Sequence, residues 1–339
     1  MTTKPRAMRD ALLDNIWRTM AQDDRIFFLS ADFGSPVLDK IRRDFPERFV
    51  NVGIAEQNLI NVSAGLALEG YKVFAYAIAP FITMRCCEQI RVNLALLSEV
   101  RQMNVNLIGV GAGYSYVVSG PTHQCYEDLT IMRAFPNMAV LSPADHVTAE
   151  QLLDRCLSQS GPKYLRLDAQ VLPAIYGDLA IDKDAGFHVH GAASPAVYLL
   201  ATGYMVHTAL AVAATLRSEG ITISVVDLFD LTGFDRDRLA SLLSSSRGIV
   251  TMEEGFVGRG GLDSLVFDYL NARQYEGSIL NIGVEARYRF DLGTRAELHE
   301  QVGIGVEVVT RRTREFALRL AFAQIPVGRS GRRPTSTPA

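Results

Sequence analysis

The chain has 339 residues, 48% of them hydrophobic and 21% charged, enough for about two domains with full cores. Its net charge of −3 gives no broad electrostatic footing for nucleic acid or an anionic membrane surface. The longest mostly apolar run, Val73 to Ile82, is too short to cross a bilayer, and Met1 to Asp10 carries Lys4, Arg6 and Arg9 without the apolar core of a signal peptide.

Ala7 to Ala21 reads as an amphipathic helix, with Met8, Leu12, Leu13, Ile16, Trp17 and Met20 on one face. Arg25 to Ser30 reads as a buried strand that ends in the turn Ser30-Ala-Asp-Phe-Gly34, at a strand edge of the kind where ligands collect in open α/β sheets. Strands near 48–52, 71–77, 104–110, 138–141 and 163–167 then alternate with helices near 36–43, 55–69, 80–97, 126–134 and 145–158. That alternation predicts a mostly parallel sheet with helices on both faces, in a first domain of residues 1–180. The pattern is lost over 171–194, where Pro173, Gly177, Gly186, Gly191 and, just beyond, Pro195 punctuate mixed charge, and a linker is placed at 181–194. A second α/β domain, 195–326, opens with a strand at 196–201 and a helix at 205–219. It continues with strands at 221–226, 248–252 and 278–282 and helices near 235–245, 258–273 and 305–322. The tail, 327–339, rich in Arg, Ser, Thr and Pro, is expected to be disordered. The fold class is α/β, with two doubly wound, mostly parallel-sheet domains. Cys86, Cys87, Cys125 and Cys156 lack zinc-ligand spacing and read as reduced, buried thiols of a cytoplasmic protein.

The rest is organised around Phe49 to Asn58. An apolar strand runs into Gly53, and a helix from Ala55 to Glu69 is stopped by Gly70, so Glu56 lies in the first helical turn directly after a strand end. A carboxylate there gains from the helix dipole and could be a plain capping charge. Gly53-Ile-Ala-Glu-Gln-Asn58, followed by Ala64-Gly-Leu-Ala-Leu-Glu-Gly70, resembles the pyrimidine-binding domain of transketolases and related thiamine diphosphate enzymes. The resemblance implies that Glu56 hydrogen-bonds N1′ of the cofactor's aminopyrimidine ring and drives proton transfer through its amino group, while the cofactor itself stabilises the carbanion. Ile54 and Asp32, the latter in the Ser-Ala-Asp turn, match positions close to the cofactor, although Asp32 could instead cap its own loop.

Phe74 to Arg85 is similar to the family's segment of rings that stack on the pyrimidine. Phe81 is the best match; Tyr76 either stacks or packs in the core, and Arg85 either lies at the cofactor or pairs within its own domain. Gly120-Pro-Thr-His-Gln124 resembles the transketolase loop whose histidine meets the donor and acceptor oxygens, which gives His123 a catalytic role. Histidine can give or take a proton near neutral pH. Arg9 and Arg166 match two arginines that hold sugar phosphates, with an ordinary ion pair as the alternative for each.

Two departures stand out. Ser119 occupies a substrate-facing position where the family usually has an acidic residue, and Gly111-Ala-Gly-Tyr-Ser115 replaces a His-Asp-Ser-like segment. With Tyr114-Ser-Tyr116 that wall becomes aromatic, which implies an altered acceptor such as a modified sugar. The Gly-Asp-Gly segment that holds the diphosphate metal in this family has no counterpart; Gly177-Asp-Leu179 is the nearest string.

The second domain resembles the transketolase C-terminal domain through Leu200-Ala-Thr-Gly203, Val225-Val-Asp227, Thr251-Met-Glu-Glu-Gly255 and Gly260-Gly261, with Glu253 and Glu254 read as a structural strand end and the domain as an assembly element. The implied protein is one subunit of a split transketolase-like complex, α2β2, with thiamine diphosphate and Mg2+ held mainly by an N-terminal thiamine-diphosphate-domain subunit. It would move a two-carbon ketol unit from a ketose or its phosphate to an aldehyde. Three alternatives stay open: the β subunit of a 2-oxo acid dehydrogenase, a deoxyxylulose phosphate synthase-like carboligase, and a non-catalytic assembly subunit.

Overall fold

The computed structural model describes residues 4–192 and 194–322; the expected tail at 327–339 and the last four residues of the expected second domain lie outside them. The first unit comprises α1 (Met8–Met20), β1 (Ile26–Ser30), α2 (Pro36–Asp44), β2 (Phe49–Asn51), α3 (Glu56–Leu68), β3 (Lys72–Ile78), α4 (Cys87–Gln89), β4 (Asn104–Val110), α5 (Asp128–Arg133), β5 (Ala139–Leu141), α6 (His146–Gln151), α7 (Leu153–Ser158) and β6 (Gly161–Leu167). Its six strands are parallel, in the order β2-β1-β3-β4-β6-β5. Alternate side chains divide between the two faces as the strand period demands. Phe28, Phe74, Tyr76, Ile108 and Leu165 pack with Met8, Leu12 and Ile16 of α1, whereas Leu29, Val73, Ala75, Leu107 and Tyr164 pack with Leu59, Ile60 and Ala64 of α3.

The helix expected over 80–97 is wound differently. A π-helical turn, Phe81–Arg85, leads into α4, and a second π-helical run covers Ile90–Leu96. The helix expected over 145–158 breaks at Leu152 into α6 and α7.

The second unit comprises β7 (Phe187–His190), β8 (Val197–Ala201), α8 (Met205–Ser218), β9 (Ile223–Leu228), α9 (Arg236–Leu243), β10 (Gly248–Phe256), α10 (Leu262–Asn271), β11 (Ser278–Val284), α11 (Arg295–Val302) and α12 (Val306–Phe322). The sheet order is β11-β10-β8-β9-β7, parallel except for β7, which runs antiparallel to β9. This edge strand lies inside the stretch read as a linker. Gly186 (φ +72°) and Gly191 (φ +121°), read as linker punctuation, mark its two ends. At Gly186 a Cβ would come within 2.7 Å of the Phe234 backbone, so glycine is required by close approach as well as by backbone shape. α11 also goes beyond the sequence expectation; its N-terminus is a capping box, Thr294 with Glu297.

Backbone joins the two units. Ser142 N–H donates to the Phe229 carbonyl at 2.8 Å and Leu231 N–H to the Val140 carbonyl at 2.9 Å, so the ends of β5 and β9 meet. Nearby, the segment after β6 is pinned to the second sheet: Tyr176 Oη donates to Asp227 Oδ2 at 2.6 Å, and Asp145 accepts the N–H groups of Ile175 and Tyr176. Asp227 is wholly buried, and this desolvation pushes its carboxyl up to about 7, with Tyr176 opposing the shift and Asp145 adding to it. A carboxyl raised in the folded state contributes stability below its unfolded value near 3.8 and loses that contribution as pH rises through about 7. Asp227→Asn, which keeps an acceptor for Tyr176, is therefore expected to gain on the wild type by on the order of 3 kcal/mol between pH 4 and pH 8 in denaturant unfolding. Parallel pH profiles for the two proteins would rule this out.

Candidate active site

The loops at the carboxyl edge of the first sheet carry the site, as strand topology favours. β2 ends at Asn51, and Gly53 (φ +74°) turns the chain into α3, whose first residue is Glu56. The N-cap residue, Ala55, offers no side-chain cap, so Glu56 itself places negative charge at the helix N-terminus. Its side chain is only 3% exposed, and Oε2 is 2.6 Å from Arg85 Nη1.

Arg85 arrives on the π-helical turn. Its guanidinium lies over the Phe81 ring, 4.5 Å from the centroid, and its carbonyl accepts the Gln57 side-chain amide at 3.2 Å. Phe81 in turn meets His123 edge to face, with ring centroids 5.3 Å apart. His123 also meets the Tyr116 ring, at 6.2 Å, and its Nδ1 is 3.0 Å from the Thr122 hydroxyl. Glu56, Arg85, Phe81, His123 and Tyr116 thus form one continuous wall, drawn from three separate loops.

The Asp32 turn supports that wall. Asp32 has φ +55° and exchanges hydrogen bonds with Asn51: Asn51 Nδ2 donates to Asp32 Oδ1 at 3.0 Å, and Asp32 N–H donates to Asn51 Oδ1 at 3.2 Å. The same Asn51 oxygen accepts Gly53 N–H at 3.0 Å, so the Asp32 loop and the turn before Glu56 are held together. Ile54, 78% exposed, projects beside them, and Ser119 lies exposed on the His123 loop, its carbonyl accepting the Thr122 hydroxyl at 3.4 Å.

Among the described residues, no group of three or more His, Cys, Asp or Glu side chains is placed to hold a metal. No described helix is long and apolar enough to cross a membrane.

The family model described as transketolase, pyrimidine binding domain, matches residues 4–174, and the one described as transketolase, C-terminal domain, matches residues 189–309. The chain belongs to the transketolase family. The 6-deoxy-6-sulfo-D-fructose transketolase subunit SqwH of Clostridium sp. (strain MSTE9) is 30% identical over 321 residues, covering 93% of this chain and 96% of that one. An apulose-4-phosphate transketolase subunit of Phocaeicola vulgatus is 29% identical over 316 residues, covering 91% and 97%. A solved split gene transketolase, described as an inactive beta4 tetramer, superposes with a TM-score of 0.79 at 32% identity, over 93% of this chain and 98% of that one. The 1-deoxy-D-xylulose-5-phosphate synthase 1 of Geobacter metallireducens is 30% identical over 315 residues, but these cover only 47% of that enzyme. The chain thus has the span of a split-transketolase subunit.

Against this family background two arginines part company. Arg9, at the start of α1, is partly exposed, with its Nε 2.8 Å from Asp10 Oδ1. Its charge acts on Tyr76 and Tyr116; burial pushes the Tyr116 phenol up to about 12, with Arg9 pulling the other way. Tyr76 itself is a core ring, wholly buried and stacked on Phe33 at 5.1 Å. Arg166 does not fit the phosphate-binding expectation. It is 3% exposed, with Nε 2.8 Å from Asp128 Oδ2 and Nη2 donating to the Glu254 carbonyl at 3.3 Å, so it lies in the seam between the two units. Asp128 Oδ2 also accepts the Tyr164 hydroxyl at 2.8 Å.

Sequence reasoning left Arg295, Asp168 and His299 unremarked, and it read Glu254 as a strand end; the structure joins all four in that seam. Their signal is thin. They are single charged residues far apart in the chain, and only folding brings them together.

Arg166→Met is expected to destabilise the protein by about 3–5 kcal/mol, because it leaves Asp128 buried and unpaired. Arg166→Met with Asp128→Leu should recover most of the loss in denaturant midpoints. A single variant within about 1 kcal/mol of wild type would return Arg166 to the substrate side.

Proposed function

We propose that this chain is the pyrimidine-binding subunit of a split transketolase that transfers a two-carbon ketol unit from a ketose or its phosphate to an aldehyde, with a modified sugar as one of the two. The observation that carries the reading is the wall from Glu56 to His123: a buried acid at a helix N-terminus, an aromatic ring beside it, and an imidazole beyond.

The residues present suit the pyrimidine half of thiamine diphosphate. Arg85 engages Glu56 Oε2, which leaves Oε1 for a ring nitrogen, and Phe81 offers a ring face for stacking. For the diphosphate half, which needs a cation held by oxygen ligands, no group of three or more His, Cys, Asp or Glu side chains is assembled among the described residues. A partner subunit supplying diphosphate and Mg2+ sites accounts for that division. It would dock beside the mouth of the site, where Ile54 and Val118 stand 78% and 77% exposed. An α2β2 assembly follows if two such chains pair.

When bound, thiamine diphosphate supplies the electron sink that lets a carbon–carbon bond next to a carbonyl break and form. The chain's own residues do the rest. Glu56 holds a proton at the ring nitrogen, Arg85 orients Glu56, and Phe81 fixes the ring plane. His123, steadied at Nδ1 by Thr122, keeps Nε2 to give or take the proton of a substrate hydroxyl. Arg9 supplies positive charge on the side of Tyr116, where an anionic substituent of the sugar would lie. The aromatic Tyr116 and the uncharged Ser119 fit the kinship with subunits whose names specify sulfofructose and apulose phosphate.

Reconstitution with the partner subunit and thiamine diphosphate tests the reading. Glu56→Gln should still assemble but lose ketol transfer by roughly 100-fold or more. Full turnover by that variant would end the proposal. Pyruvate as donor with carbon dioxide release would instead establish the synthase-like carboligation. Phe81→Ala should weaken cofactor binding by about 10-fold, followed by circular dichroism titration of the assembled complex, if the ring stacks on the cofactor.

A further inference from the structure

The proposed chemistry gives the second unit no part, yet its buried ion cluster lies directly behind the loop that carries Tyr116. Glu254, on β10, is buried, with Arg295 Nε at 3.0 Å and His299 Nε2 at 2.6 Å from Oε1, and Arg295 Nη2 at 2.6 Å from Oε2. Arg295 Nη1 reaches Asp168 Oδ2, just past β6 in the first unit, at 2.6 Å, and its guanidinium lies 3.6 Å from the Tyr204 ring centroid. Burial by itself would raise the Glu254 carboxyl; Arg295 and His299 override it and hold the group well below its ordinary range.

The catalytic-side loops rest on this carboxylate. Tyr114 N–H donates to Glu254 Oε1 at 3.4 Å. Gly113 (φ +54°) packs so closely that a Cβ there would lie 2.3 Å from Oε2. Gly113 also exchanges both backbone hydrogen bonds with Cys125, at 2.9 and 3.0 Å, two residues beyond His123. Gln170 ties in the other side: its N–H donates to Asp168 Oδ1 at 2.8 Å and its side-chain amide to the Ser115 carbonyl at 3.1 Å. The Tyr116 ring closes over Gly111 (φ +108°), where a Cβ would meet it at 2.1 Å. Gly111, Gly113 and Gly120 all adopt positive φ, a backbone shape that glycine takes without strain, so the loop can follow the surface behind it closely.

We propose that Glu254, clamped by Arg295 and His299, is a positioning residue that sets the His123 and Tyr116 loops from behind, so that the second unit determines the width of the sugar crevice. The proposal rests on the reading of those two side chains as substrate-facing.

Hydrogen–deuterium exchange on the full chain tests the positioning directly. In Glu254→Gln, amides within 111–126 should exchange about 10-fold faster, while those of β8 and β9 stay within about 2-fold of wild type. Gly113→Ala, which attacks the contact from the loop side and leaves every charge in place, should give the same regional pattern. In the reconstituted complex both variants should raise the KM for the aldehyde about 10-fold with the cofactor titration unchanged. Unchanged exchange over 111–126 in both variants, or acceleration spread equally through the second sheet, overturns the proposal. If the loops loosen as expected but no ketol transfer is found even in the wild type, the transferase reading fails while the positioning stands.

Discussion

A carboxylate withdrawn from water needs compensation, and the way Glu56 is compensated shapes the whole site. The open N–H groups and dipole of α3 act from one side, and the Arg85 guanidinium from the other. Arg85 can reach Glu56 because the chain between β3 and α4 winds with π geometry, a widened turn that often occurs at functional sites. The same guanidinium lies on Phe81, and Phe81 abuts His123. One ion pair therefore fixes the acid, the ring and, through the ring, the imidazole. The charged partner is itself 44% exposed, so the pair sits at the mouth of the site and borders whatever docks there.

The division of labour follows from what each edge of the first sheet offers. The loops after β1, β2 and β3 bring Asp32, Glu56 and Phe81 together through short local turns, and Asn51 links the first two directly. The loops after β4 and β6 are tied to each other, with the Gly111 and Ala112 N–H groups donating to the Leu167 carbonyl, and the first of them meets the wall where His123 abuts Phe81. They also touch the second unit, through Glu254 beneath Gly113 and Asp168 against Arg295. One side of the crevice is thus built within a single domain, and the other touches both domains.

This division also explains what was legible in the sequence. The helix start at Glu56 and the loop around His123 could be read because each lies in a contiguous string whose strand, turn or helix context is local. The two sheets could be read because buried parallel strands leave dense apolar runs. β7 could not: Phe187-His-Val-His190 is four residues long, and its flanking glycines look like linker punctuation until Phe234 is seen packed on Gly186. The π winding left a fainter trace. Ile82, Cys86, Ile90 and Leu94, all wholly buried, recur every fourth residue, wider than the 3.6 of an α-helix. Arg166 stayed open between two readings because an arginine at a strand end can face a ligand or a buried acid, and nothing local distinguishes Asp128 from a phosphate.

Glu253 and Glu254 show how far apart two neighbouring residues can be in physical terms. Strand alternation sends them to opposite faces of β10. Glu253 turns to the start of α10, where Asp263 N–H donates to Oε1 at 2.9 Å, Oε2 has no partner, and burial pushes the carboxyl up to about 7. Glu254 turns to the seam and is held low by Arg295 and His299. Only the second kind of burial demands a particular arrangement of its neighbours. A buried ion cluster adds little net stability over apolar packing, but it tolerates displacement poorly, because a partner moved away leaves a charge uncompensated. With the backbone bonds between β5 and β9 holding the same seam, the cluster restricts how the two units can sit against each other. The second unit thereby lies directly against the loop on which the first unit carries His123.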